Sequence, residues 1–222
     1  MISQLPKWVE LGAFILALVA GSVNAIGLLG FEHQSVSHLS GTATLLGTGL
    51  INHSFHTALH LVGVMVFFVV GAATAGFLLH GSTLKLGRHY DTALFIEAGL
   101  LLTALGFLSQ NSFYGHFFAS AACGLQNALA TTYSGAIIRT THLTGIFTDL
   151  GIMLGSLCKG KPLDARKAKL FTLIIVGFIV GSSLGALLFI RLKFTALLFP
   201  AAICCLLALT YRIYVRRLQP TD

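Results

Sequence analysis

Charge is what this sequence has least of. Only 7 of 222 residues are Asp or Glu and 14 are Lys or Arg, 9% in all, where soluble domains carry about a quarter. A chain so poor in charge is not an ordinary water-soluble domain. Its four cysteines, Cys123, Cys158, Cys204 and Cys205, show no Cys-x-x-Cys spacing and lie in or beside apolar runs. That excludes a disulfide framework or a thiolate metal site as the reading of first choice, and the four are taken as small packing residues. No Gly-rich phosphate loop follows a strand, no His-Glu-x-x-His occurs and no Ser nucleophile elbow is present. An enzyme is therefore not expected, and no cofactor is called for.

What is there is hydrocarbon. Hydrophobic residues make up 55% of the chain and the mean hydropathy is +0.86, so the lipid bilayer is its first partner. The basic residues sit between apolar runs or near Arg216 and Arg217, where the positive-inside bias puts them, and nucleic acid is not needed to explain them. Lys7 ahead of the first apolar run resembles a signal peptide, but the run is long enough to span a bilayer.

The sequence then repeats itself. Gly21-Ser22-Val23-Asn24-Ala25 is followed by Ser37-His38-Leu39-Ser40-Gly41, Thr44 and Gly47; the order returns as Gly124-Leu125-Gln126-Asn127-Ala128, Thr141-His142-Leu143-Thr144-Gly145, Thr148 and Gly151. Phe68 and Gly71 return as Phe178 and Gly181, and Arg88 with Thr92-Ala93-Leu94 returns as Arg191 with Thr195-Ala196-Leu197, at registers of 103 to 110 residues. Two repeats, residues 10–110 and 113–217, within one membrane domain spanning 1–222, account for this. Because Asn24 belongs to the repeat, cleavage after the first run is not expected.

Apolar runs at about 9–30, 61–80, 91–109, 113–138, 168–190 and 194–211 each approach the roughly 20 residues a spanning helix needs. The expected fold is an all-α polytopic membrane protein with about six full transmembrane helices. Two shorter, Gly- and Thr-rich segments, 36–51 and 140–158, are expected as short, broken or re-entrant helices; if they span, there are eight crossings and the repeats are parallel rather than inverted. Loop charge favours six, with Lys159, Lys161, Arg166, Lys167 and Lys169 inside, Arg191 and Lys193 outside, and both termini cytoplasmic.

The candidate site follows from the paired motifs. Ser and Thr cap helix N-termini and Gly permits close backbone approach, so each Ser/Thr-His-Leu-Ser/Thr-Gly motif is expected to start a short helix whose positive end suits an anion or polar solute. Interrupted helices at equivalent points of two repeats are the pointer to a transporter's binding site. The expected substrate-binding set is Asn24, Ser37, His38, Ser40, Gly41, Gln126, Asn127, Thr141, His142, Thr144, Gly145 and Asp149, around a polar pocket between the repeats. The bland alternative is that the small and hydroxyl residues let helices pack closely, and that the amides pair across helices. Of the two acids inside apolar segments, Asp149 is preferred as functional because it sits in the motif; Glu97 is expected shallow or paired with a helix. His53, His56 and His60 can share a helix face, but a polar loop is preferred to a metal site. Gly63, Gly71, Gly76, Gly177, Gly181 and Gly185 are expected to pack helices.

These motifs, above all Ala20-Gly21-Ser22-Val23-Asn24-Ala25, Ser37-His38-Leu39-Ser40-Gly41 and Leu143-Thr144-Gly145-Ile146-Phe147-Thr148, resemble those of the YoaK family, bacterial inner-membrane proteins with a domain of unknown function. Family members more often read Ser-His-Met-Thr-Gly followed by Asn where this chain has Ser-His-Leu-Ser-Gly and Thr42, and many carry Asp where it has Asn24. The resemblance implies a multi-pass protein of the bacterial inner membrane and suggests small-molecule transport. The expected function is secondary transport of a small polar or anionic molecule between two repeats. The alternatives are a non-transporting membrane sensor or assembly partner and, below it, a haem- or metal-binding protein using His38 and His142. A homo-oligomer stays open.

Overall fold

The computed structural model describes residues 8–30, 36–51, 55–79, 89–134 and 139–218. Lys7, His53 and Arg88, each of which carried an expectation or a repeat match, lie outside the described residues. The helices are α1 (Trp8–Gly30), α2 (Leu39–Ile51), α3 (Phe55–Leu78), α4 (Tyr90–Ser109), α5 (Tyr114–Ser134), α6 (Leu143–Cys158), α7 (Ala165–Leu192) and α8 (Leu198–Leu218). Among the described residues there is no strand.

Among the described residues, four helical segments are long and apolar enough to cross a membrane: Trp8–Gly30, Phe55–Leu78, Tyr90–Ser109 and Ala165–Arg216. The last is 52 residues and folds back on itself through a 3-10 turn at Lys193–Leu197, where Lys193 takes a φ of 52°. Its two arms are α7 and α8. Helix α5, at 21 residues, is long enough but carries His116, Ser120, Gln126 and Asn127. It tolerates them because it is the inner helix, buried without a break from Ala119 to Gln126 and flanked by α1, α3 and α4. The buried polar atoms find partners: the Ser120 hydroxyl is shared between the carbonyls of Val36 and Val64, and Gln126 Nε2 donates to the Leu16 carbonyl at 2.8 Å.

Two crossings hold the bundle together, and both are made by glycine. Where α1 runs parallel to α7, Gly21 lies against the Phe178 carbonyl, Gly181 against the Leu18 carbonyl and Gly185 against Ser22; where α3 runs parallel to α5, Gly124 lies against the Phe68 carbonyl and Gly71 against the Ala121 carbonyl. A Cβ at any of these positions would meet backbone, which cannot step aside. Small residues at helix contacts are what close packing in lipid requires, since hydrophobicity gives helices no reason to associate there. Helix α4 runs antiparallel to α8, with Tyr90 beside Tyr211, Asp91 beside Arg212 and Glu97 beside Cys204.

The start of α3 lines the same cleft as the end of α1, with Gly30, His56 and His60 together. Between them the chain dips into the bundle: Ser37 bonds to Asn24 at 2.7 Å and the Val36 carbonyl accepts from Ser120. Helix α2 then returns to the end it came from, packed on α3. Its 13 residues measure about 20 Å, against the roughly 30 Å of a hydrocarbon core. Helix α6, 16 residues, connects α5 to α7 and is tied to the first turn of α7 by Asp149 and Lys167.

Candidate functional site

Each His of the paired motifs stands at the start of a short helix. Leu39 and Leu143 are the first helical residues, and the carbonyls of His38 and His142 accept the first helical bonds, from Thr42 and Ile146 at 3.0 and 3.3 Å. The expectation of Ser or Thr caps needs correction: His142 occupies the N-cap position and makes no side-chain cap bond. Both imidazoles instead fold back over the first turn, lying where a Cβ of Gly41 or Gly145 would be. That is the local reason for glycine three residues after each His. Ser40 Oγ is 3.4 Å from His38 Nε2.

Of the twelve expected site residues, the structure brings Asn24 to Ser37, Ser40 and Gly41 to His38, and Gly145 to His142. Gln126 is buried on the Leu16 carbonyl, and the Asn127 Oδ1 atom is buried without a partner, as is Thr140 Oγ1 next to Thr141. His38, Ser40, His142 and Thr144 are exposed. Asp149 is not drawn into the bundle; its side chain is 45% exposed and pairs with Lys167 at 3.3 Å.

Two cavities are lined by none of these twelve. One, about 330 Å³, lies where α3 and α5 begin, lined by His56, Thr57, His60, Asn111, Ser112 and His116 together with Phe113 and Phe194. His60 Nε2 and His116 Nδ1 are 2.9 Å apart there, and His60 packs on Phe113 and Phe117. Among the described residues no three His, Cys, Asp or Glu side chains converge as metal ligands would. The other, about 430 Å³, opens at the opposite end between α1 and α8. Its walls are Leu11, Gly12, Ile15, Leu207, Thr210 and Tyr211, with Leu94 and Leu129 deeper in and Trp8 and Tyr214 at the rim.

One turn beyond Leu94 on α4 and one turn before Leu207 on α8, Glu97 meets Cys204. Glu97 is 1% exposed. The Cys204 thiol lies beside its carboxyl, and Oε2 has no partner. The expectation that Glu97 is shallow is thereby corrected, since α5 and α8 close over it.

A family model described as a protein of unknown function (DUF1275) matches residues 12–210. The chain belongs to this family. The YoaK proteins it resembles are members too. No curated protein matches this DUF1275 chain, and no solved structure does. The residue that sequence reasoning on it undervalued is Glu97. The signal was available: an acid in the middle of an apolar run is costly unless used, whereas the weight given to repeat matching favoured Asp149.

Proposed function

We propose that the protein is a secondary-transporter-like component of the bacterial inner membrane, built from two inverted repeats, that moves a small polar or anionic solute by alternating access. The observation that carries this reading is a pair of contacts matched by the repeat register, one packed and the other open. Where the end of α4 meets the start of α5, Gly115 lies against Leu108 with the Ala104 carbonyl 2.8 Å from where its Cβ would be, and Phe107 stacks on Phe118 at 5.4 Å. Shifted by the repeat register of 103, Gly115, Phe118, Ala104, Phe107 and Leu108 become Gly12, Ile15, Leu207, Thr210 and Tyr211, which are walls of the open cleft. Gly12 has nothing within 4 Å. The two contacts matched by this register are one packed and one parted, which supports alternating access between inverted halves.

The glycine crossings support the repeat in the same way. The register of 103 carries Gly21 and Leu18 to Gly124 and Ala121, and 110 carries Phe68 and Gly71 to Phe178 and Gly181, so the two crossings exchange partners between halves. Six crossings with α2 and α6 re-entrant fit the short α2 and its return to its own end. The end bearing Arg166, Lys167, Lys169 and Arg212, ion-paired to Glu10, Asp149 and Asp91, would be cytoplasmic by the positive-inside rule. Polar groups accessible to a solute are His38, Ser40, His142 and Thr144.

In proteoliposomes screened against a panel of small metabolites, wild-type protein is expected to give solute-dependent uptake that His38→Ala and His142→Ala abolish while still inserting. Insertion of both variants with uptake unchanged would remove these residues from the site. The tightly packed glycine crossings favour a second reading, a non-transporting sensor or assembly partner, which predicts no uptake of any solute and no change of shape at either end.

A further inference from the structure

A fully buried acid sits at the junction of α4, α5 and α8, and nothing in the transport reading above uses it. Glu97 lies about 10 Å of helix in from Tyr90, buried among Ala98, Leu101, Cys123, Ala201 and Cys204. The ionisable groups that face it are two thiols, Cys204 on α8 and Cys123 on α5. No Lys, Arg or His among the described residues pairs with it. The nearest charges along the helices are Asp91, nearly two turns away on α4 itself, and Arg212, a little over two turns from Cys204 on α8, and these two are paired with each other. A carboxylate held in such surroundings without a cation is far more costly than a neutral acid. The thiol of Cys204 lies beside the carboxyl, and Oε2 is buried without a partner.

The open cleft leads toward this group. Leu94 and Leu207 line it, and the next turn inward on α4 and on α8 presents Glu97 and Cys204. On the other side, the contact of α4 with α5 through Phe107, Phe118 and Gly115 seals the path to the opposite end.

We propose that Glu97 is an intramembrane proton-binding site, loaded from the cleft between α1 and α8 and held as the neutral acid in the closed junction seen here. The step is one protonation: an O–H bond forms at Oε2 of the carboxylate as an O–H bond of a hydronium ion in the cleft breaks and leaves water, no bond breaks in the protein, and the reverse step returns the proton to water on whichever side is open. The ligand is the proton itself. Its use as a coupling ion rests on the alternating-access reading; its binding does not.

The test is infrared spectroscopy of the full-length protein in liposomes of a phosphatidylethanolamine and phosphatidylglycerol mixture at neutral pH. A protonated-carboxyl C=O band is expected in wild type and absent in Glu97→Gln. Cys204→Ala should keep the band but shift it, because the thiol lies beside the same carboxyl; this variant decides the matter if Glu97→Gln fails to fold. Gly12→Trp, which fills the cleft, should slow exchange of the band into heavy water at least several-fold. Absence of the band in wild type, or its persistence in Glu97→Gln, overturns the site. Exchange unaffected by Gly12→Trp overturns the cleft as its route. A band that is present in a protein whose ends never change shape leaves the proton site standing and sinks only the coupling role.

Discussion

The two ends of the bundle carry the same contacts in different chemistry. At one end Glu10 of α1 binds Arg166 and Lys169 of α7 at 3.5 and 2.8 Å. At the other, the residues in equivalent registers, Phe113 of α5 and His56 of α3, meet ring to ring at 6.3 Å between centroids. Next to the ion pairs α1 stands off α8; next to the aromatic cluster α4 is pressed on α5. The architecture is shared while the state differs. On the proposed reading, a contact that packs well in one half and parts in the other is one the fold makes and breaks, and the difference names where movement is to be sought.

The largest effect is expected where the two halves must agree. Gly71→Leu and Gly181→Leu would each drive a side chain into a neighbouring carbonyl, Ala121 in one case and Leu18 in the other, and each should cost at least about 3 kcal/mol. Loss of the monodisperse peak on size-exclusion chromatography would register it. Sensitivity at one member of the pair and tolerance at the other would break the equivalence of the crossings.

The next comparison is between Gly115→Val and Gly12→Val. Packed against Ala104 and Leu108, the first should lose about 1–3 kcal/mol; facing open space, the second should stay within about 0.5 kcal/mol, both read as thermal melting in detergent. Equal losses would mean the cleft is closed in the protein as purified. A smaller effect belongs to Ser120→Ala, which leaves the carbonyls of Val36 and Val64 without their donor and should cost about 1–2 kcal/mol. Smallest is Lys167→Ala. Its partner Asp149 is 45% exposed, such pairs are worth about 0–1 kcal/mol, and a melting temperature moved by more than a few degrees would show that α6 depends on this pair more than its exposure implies.

Much of the packing was legible in the sequence because its motifs recur at a fixed period. The glycines that returned at fixed registers are the ones that make the crossings, and the two His-bearing motifs do start short helices. Depth was not legible. Within the run containing Glu97 every side of the helix is apolar, so nothing marks the side that α5 and α8 will cover; its repeat counterpart, Pro200, carries no polar group to flag the position. Asp149 misled for the converse reason. It lies inside a repeated motif, but its neighbour Lys167 arrives from another helix, and only tertiary packing of α6 on α7 brings the two together. The caps were misjudged because Ser and Thr are the usual choice, whereas here glycine three residues on makes room for an imidazole.

The most direct test of the central claim is a pair of spin-label distances measured by double electron–electron resonance. In a background lacking the four native cysteines, labels at Leu11 and Leu209 span the open cleft, and labels at Tyr114 and Gly106 occupy the equivalent positions at the closed end; all four are exposed. Two populations are predicted at each end, and conditions that shorten the first distance should lengthen the second. A single fixed distance at both ends, unchanged by pH or by any solute that binds, would contradict the account.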